Sequence, residues 1–268
     1  MTRQTLDFQN IDATADRMAE AARAAILPLF RTQELPEDNK LSVGFDPVTE
    51  ADRAAERAMR EVLAQDRPDD AIFGEEYGEK RGTSGLTWVL DPIDGTRGFI
   101  SGTPNWGVLI ALGDAGGPFY GVIDQPYIGE RFRGRPDGAF LDGPHGSGPI
   151  RTRPYRPLSE ATVFTTFPEV GTPDEGRAFH AVSKQARLTR YGMDCYAYAL
   201  LASGQIDLVI EAGLQAYDIQ APIAVIQAAG GIVTDWSGAP AHAGGRALAA
   251  ANAQIHAEAL EILKASMP

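Results

Sequence analysis

The 268-residue chain has a single cysteine, Cys195, and only four histidines. One cysteine excludes an internal disulfide and fits a reducing cytosol. His145, His180, His242 and His256 show no ligand spacing, which argues against a zinc site. No apolar run approaches the roughly 20 residues of a membrane span. The first residues, "MTRQTLDFQNIDATADRM", lack the apolar core of an export signal, so a cytoplasmic location is expected. Positive charge is scarce: 24 Lys and Arg stand against 36 Asp and Glu, for a net charge of −12. That balance argues against nucleic acid as a main partner. Repeats, low-complexity segments and linkers are missing as well. What is there, 44% hydrophobic and 22% charged residues, fits a soluble globular protein of one large domain or two packed halves.

Apolar spacing predicts helices over 9–30 and 48–66, with Thr49 as N-cap and Asp52 three positions on, in the pattern of a capping box. Short strands are expected at 71–76 and in "LTWVLDP", and several antiparallel strands between 105 and 141. The second half alternates: strands near 161–166, 187–191, 206–211 and 231–236, helices near 174–186, 193–203, 218–229 and 253–265. Strands first and alternation later make a mixed α/β pattern. Six arginines, Arg131, Arg133, Arg135, Arg151, Arg153 and Arg156, crowd one stretch. Charge runs usually mark exposed faces, so solvated strand edges and loops are expected there, with a subunit contact as the alternative.

The chemistry is expected at the ends of these elements. Asp52 opens a helix, Glu75 and Glu76 end a strand, Asp91 and Asp94 end another, and Asp218 opens a helix. Singly, each has a plain explanation as a cap or turn residue. Of the adjacent pair Glu75 and Glu76, only one can face inward from a strand. Together, carboxylates converging without Lys or Arg repel one another, and a hard divalent cation relieves that; oxygen-only ligands favour Mg²⁺, Mn²⁺ or Ca²⁺. "DGTRGF" (94–99) adds a Gly-Thr turn into a short helix, whose backbone N–H groups suit phosphate oxygens. Metals beside an anion-binding turn suggest metal-assisted phosphate chemistry. Cys195 lies in an apolar helix, where thiols are usually inert.

"FDPVTEAD" (45–52), "GEE" (74–76), "DPIDGT" (91–96) and "YDIQAP" (217–222), with the Gly pair at 230–231, resemble the inositol monophosphatase family of Mg²⁺-dependent phosphatases, in family order and over nearly the whole chain. "DPIDGTRGFISG", "GVIDQPYIGERF" and "RLTRYGMDCYAYALLASGQIDLVIEAGL" look most like its histidinol-phosphate phosphatase branch, which serves histidine biosynthesis. The resemblance implies an α/β (α+β) fold, the layered α/β/α/β/α sandwich of the inositol monophosphatase and fructose bisphosphatase type. It implies one catalytic domain over 1–268, with a larger half (1–185) carrying the metal motifs and a smaller half (186–268) supplying Asp218 and substrate contacts. By the same resemblance Glu75, Asp91 and the Ile93 carbonyl hold a first Mg²⁺, and Asp91, Asp94 and Asp218 a second. A third ion near Glu75 is implied by some members, and Mn²⁺ is a possible substitute. Pro92 then sets the bend that lets the Ile93 carbonyl join. Thr96 and Asp52 match the pair that handles the attacking water, and Gly95 and Thr96 match phosphate contacts. The family also implies a homodimer.

The leaving alcohol is the open question. Arg190, Asp194 and Glu211 fall where the family contacts it, with Arg190 either touching substrate or pairing with one of the acids. Two carboxylates beyond the metal site favour a cationic leaving group such as histidinol over neutral inositol. Against this, Asp194 has the plain reading of a helix cap. The alternatives are inositol 1-phosphate, another sugar phosphate or a nucleotide bisphosphate, and, from another class, a binding protein that has lost catalysis. The last is disfavoured because Asp52, Glu75, Asp91, Asp94, Thr96 and Asp218 are all intact.

Overall fold

The computed structural model describes residues 6–32, 37–39 and 47–267. Phe45 and Asp46 of the first motif lie outside the described residues. The helices are α1 (Phe8–Ile26), α2 (Glu50–Asp66), α3 (Thr96–Ile100), α4 (Pro173–Ser183), α5 (Asp194–Ala202), α6 (Ala216–Ala228) and α7 (Ala253–Ser266). A short hairpin pairs β1 (Glu37–Asn39) with β2 (Pro47–Thr49).

The larger sheet contains β3 (Ala71–Gly74), β4 (Gly78–Lys80), β5 (Thr87–Asp94), β6 (Gly107–Asp114), β7 (Gly117–Gln125), β8 (Glu130–Arg135), β9 (Gly138–Asp142) and β10 (Gly148–Ile150). Its spatial order is β10-β9-β8-β7-β6-β5-β3-β4. The second sheet contains β11 (Thr162–Thr165), β12 (Leu188–Tyr191), β13 (Leu208–Leu214), β14 (Ile232–Thr234) and β15 (Gly245–Ala250), in the order β12-β11-β13-β15-β14.

Side-chain alternation separates the faces. Trp88, Leu90, Val108, Ile110 and Val122 face α1 and α2, while Val89, Leu109, Ala111 and Ile123 face α5 and α6. In the second sheet Val209 and Ala249 join that central layer, and Leu208, Ile210 and Leu248 pack against α4 and α7. The layers therefore run α/β/α/β/α, as expected. The expected halves divide at residue 185, whereas sheet membership changes between residues 150 and 162. The strand β11 and helix α4 already belong to the second sheet and its cover.

One strand falls outside the sequence expectations, and one expectation changes. The strand β15, "GRALAA", has no strand-like composition; it is extended because it fits antiparallel between β13 and β14. The arginines of β8 are neither solvated edges nor free for a subunit contact. Arg131, Arg133 and Arg135 alternate onto one face of the strand and meet Asp12, Asp16 and Glu20, spaced four apart along α1. Arg131 also reaches buried Asp124 at 2.7 Å. Arg153 pairs with buried Asp207 at 2.9 Å. Arg151 and Arg156 are exposed, as expected.

Candidate active site

The carboxylates come together through register and one irregularity. Parallel pairing sets Gly74 of β3 beside Leu90 of β5, and the Glu75 N–H donates to the Leu90 carbonyl at 3.2 Å. Glu75 therefore emerges next to Asp91. Along β5, Asp91 pairs with Leu109 and Asp94 with Gly107, so three residues advance against two on β6. In a regular strand Asp91 and Asp94, three apart, would point to opposite faces. The extra residue is a bulge that turns both to the same side, with Pro92 at the place where a ladder donor is not needed. Asp218 arrives from the first turn of α6, where it also accepts the Gln215 N–H at 2.7 Å. One oxygen from each of Asp91, Asp94 and Asp218 lies within 4.8 Å of the others. Glu75 and Glu76 follow the end of β3 in a turn, so strand alternation is not what separates them.

The electrostatics register the crowding. Burial pushes the Asp91 carboxyl well up, and Glu75, Asp94 and Asp218 add to it. Burial likewise raises Asp94, with Asp194 and Asp218 adding, although the Cys195 N–H donates to it at 2.5 Å. Six carboxylates (Glu75, Asp91, Asp94, Asp194, Glu211, Asp218) line a cavity of about 400 Å³, and its cationic lining side chain is Arg97. An all-oxygen cluster of this charge fits a hard divalent cation.

Thr96 opens α3 behind Gly95, which sits at φ +91°. The positive φ calls for glycine, and a Cβ there would also be tight, 3.1 Å from the Asp194 side chain and 3.2 Å from Trp106 Cα. The first N–H groups of a helix have no internal acceptor and suit an anion. The Thr96 hydroxyl has one proton and two acceptors, the Ile93 carbonyl at 3.1 Å and Asp52 Oδ1 at 3.4 Å. Asp52 also closes the capping box of α2, accepting the Thr49 N–H at 2.8 Å and its hydroxyl at 2.6 Å. The cap and catalytic readings of Asp52 thus use different oxygens of one carboxyl.

A model of the inositol monophosphatase family matches residues 7–267. The chain belongs to that family. Membership makes it a hydrolase of phosphate monoesters. A bifunctional chloroplastic phosphatase (IMPL2) of Arabidopsis thaliana is 40% identical, over 96% of this chain and 76% of that protein. A histidinol-phosphatase of Chlorobaculum parvum is 37% identical, over 88% and 89%. The solved structure of an inositol monophosphatase from Zymomonas mobilis superposes with TM-score 0.85 at 38% identity, over 97% and 99% of the two chains.

Within this member of the inositol monophosphatase family, the substrate residues are distributed differently from expectation. Asp194 lines the cavity at φ +45°, in the first turn of α5 behind Met193. Its carboxyl takes the Asn105 amide at 3.0 Å instead of a helix N–H, so it is not the cap. Burial and the Glu211 charge push it up to about 7, against the pull of Arg97 and Asn105. Glu211 lines the cavity too, at the bulge of β13, with its oxygens taken by Thr166 (3.0 Å to the N–H) and the Tyr198 hydroxyl (2.9 Å). Arg190 is exposed on β12, outside the cavity lining, and pairs with neither acid. Arg97 takes the place expected of it.

Arg97, Asn105 and Phe167 were not singled out by the sequence. "DGTRGF" holds Arg97 right after Thr96, a signal that was present, whereas Asn105 and Phe167 reach the site only through the fold. Cys195 is buried beside Asp94, and burial pushes its thiol well up. Its backbone N–H donates to Asp94, and a buried thiol held protonated in this way is a poor nucleophile.

Asp52 yields a pH prediction. Burial, with the Glu76 charge adding, raises its carboxyl to about 6 from 3.8, against the hydrogen bonds from Thr49. An acid whose folded pKa is raised destabilises the fold when ionised, so this cost is absent at low pH and fully present above the folded pKa. Asp52→Asn keeps the shape without the charge. In chelator it should melt above wild type at pH 7.5, the gap closing as pH falls from about 6 toward 3.8. A gap constant with pH, measured by thermal melts, would contradict this.

Proposed function

We propose that the chain is a Mg²⁺-dependent phosphomonoesterase that hydrolyses L-histidinol phosphate to L-histidinol and phosphate, as a cytosolic homodimer in histidine biosynthesis. The observation that carries the substrate reading is Asp194. Its carboxyl lines the cavity against Gly95, the start of the phosphate turn. Histidinol phosphate carries an ammonium on the carbon next to the ester carbon, so an anion beside the phosphate turn is where such a substrate needs one. The 37% identity to a protein named histidinol-phosphatase supports the same reading. The likeness to an inositol monophosphatase at 38% identity keeps inositol 1-phosphate as the second reading.

In this reading Glu75, Asp91, the Ile93 carbonyl, Asp94 and Asp218 hold two or three Mg²⁺ ions, with Mn²⁺ as substitute. When bound, the ions lower the pKa of water and neutralise charge on the transferring phosphoryl group. The chain's own residues do the rest. Gly95 and Thr96 present N–H groups to the phosphate oxygens. With the Thr96 proton directed to Asp52, Thr96 Oγ1 is free to accept a hydrogen bond from the attacking water, and the Ile93 carbonyl is released for other use. Asp52 must be ionised to receive that proton, so turnover falls on the acid side as that carboxyl protonates, and bound cations place this fall below the value of about 6 that the metal-free chain gives it. Asp194 binds the substrate ammonium, and Asn105 holds Asp194 in place.

The test is Asp194→Ala on paired substrates. We expect kcat/KM to fall at least about tenfold more for histidinol phosphate than for inositol 1-phosphate, as for loss of one charge-assisted hydrogen bond. Equal losses on both esters would remove the charge argument.

A further inference from the structure

Glu56 lies one turn after Asp52 on α2, is fully buried, and does not line the cavity. A buried carboxylate persists only with partners that compensate it. Its Oε2 accepts the Glu76 N–H at 2.7 Å, and its Oε1 accepts the Tyr77 N–H at 3.2 Å and Arg60 Nε at 2.7 Å. Arg60 continues to the Gly78 carbonyl at 2.5 Å. The pair thus grips residues 76, 77 and 78, the turn that directly follows Glu75. A Cβ on Gly74 would sit 2.1 Å from Glu56 Oε1, so glycine there is what lets the carboxylate approach. From the other side, the Glu75 N–H is bonded to Leu90 of β5.

We propose that Glu56, braced by Arg60, is a positioning residue that fixes Glu75 for cation binding. This rests on the reading of Glu75 as a metal ligand. The spacing of four puts Asp52 and Glu56 on one face of α2. One helix thereby sets both the Thr96–Asp52 pair and the Glu75 turn, and the distance between them does not depend on loop conformation. Second-layer hydrogen bonds of this kind orient ligands, and their loss typically costs about 10- to 100-fold in metal affinity.

The experiment is Mn²⁺ binding to the full chain by titration calorimetry, with thermal melts alongside. In Glu56→Gln the amide sets an N–H₂ against a backbone N–H, so the turn loses an acceptor and the charge that holds Arg60. We expect about tenfold weaker Mn²⁺ binding. Arg60→Met should shift affinity the same way by less, and carries the test if Glu56→Gln does not fold. Leu63→Ala, in the core on the same helix, should lower the melting temperature and leave Mn²⁺ affinity unchanged. Wild-type affinity in Glu56→Gln, or in Arg60→Met where only that variant folds, overturns the proposal. So does an affinity loss in Leu63→Ala as large as in Glu56→Gln. Glu75→Gln separates the two readings. If it binds Mn²⁺ as wild type does, Glu75 is no ligand and both fail; if it weakens binding while Glu56→Gln does not, only the clamp fails.

Discussion

Asp91→Asn is expected to lower kcat by about 10³-fold, the upper end for removing one preorganised electrostatic partner. The residue is 2% exposed and sits among Glu75, Asp94 and Asp218. Its ionised form is held against burial and three neighbouring carboxylates, a state that only a bound cation compensates. Asparagine keeps the volume and can still accept the Ile93 N–H, which Asp91 Oδ1 takes at 3.1 Å. It removes the negative charge. The same substitution therefore relieves repulsion when no cation is present, and in chelator the variant should melt above wild type. Steady-state kinetics with Mg²⁺ and melts with chelator check the two halves. Activity near wild type would remove Asp91 from the cation site, and a lower melting temperature in chelator would contradict the electrostatic account.

The second large effect is on stability. Asp124 of β7 has a side chain with no exposed surface, gripped by Arg23 through both oxygens at 2.7 Å and by Arg131 at 2.7 Å. Arg131 carries the network on to Asp16 and Glu20 of α1. Asp124→Ala leaves two guanidiniums without their buried partner, and breaking such a pair costs about 3–5 kcal/mol. Asp16 and Glu20 stay in reach of Arg131, so we expect about 3 kcal/mol, or roughly a 6–12 °C drop in melting temperature for a chain of this size. Asp124 does not line the cavity, so kcat at moderate temperature should hold. Chemical denaturation gives the free energy directly. A loss under about 1 kcal/mol, the range of surface pairs, would mean the network contributes little.

This network shows where sequence reading stops. The alternation of Arg131, Arg133 and Arg135 is written in the sequence, and so is the four-residue spacing of Asp12, Asp16 and Glu20. Nothing local says that these two periodicities face each other, because the pairing spans more than 100 residues. The metal-type carboxylates were legible for the opposite reason. Each sits at a strand end or helix start with its own turn chemistry, and the Thr49–Asp52 capping box can be read from four residues. The bulge that brings Asp91 and Asp94 to one side was legible only as Pro92. Asp194 is legible as a charge but not as a residue at positive φ held by Asn105, and the sequence points to Arg190 where the fold places Arg97. Strand β15 is not legible in the sequence because its alanines favour helix until two neighbouring strands supply the partners.

The central claim is that a cation-dependent carboxylate site cuts a phosphate ester whose leaving group is cationic. The most direct test is phosphate release by the purified chain from L-histidinol phosphate and from inositol 1-phosphate, with Mg²⁺ and after chelation. The account predicts a higher kcat/KM for histidinol phosphate, loss of turnover in chelator, and its return with added Mg²⁺. A higher kcat/KM for inositol 1-phosphate, or turnover that survives chelation, would contradict it.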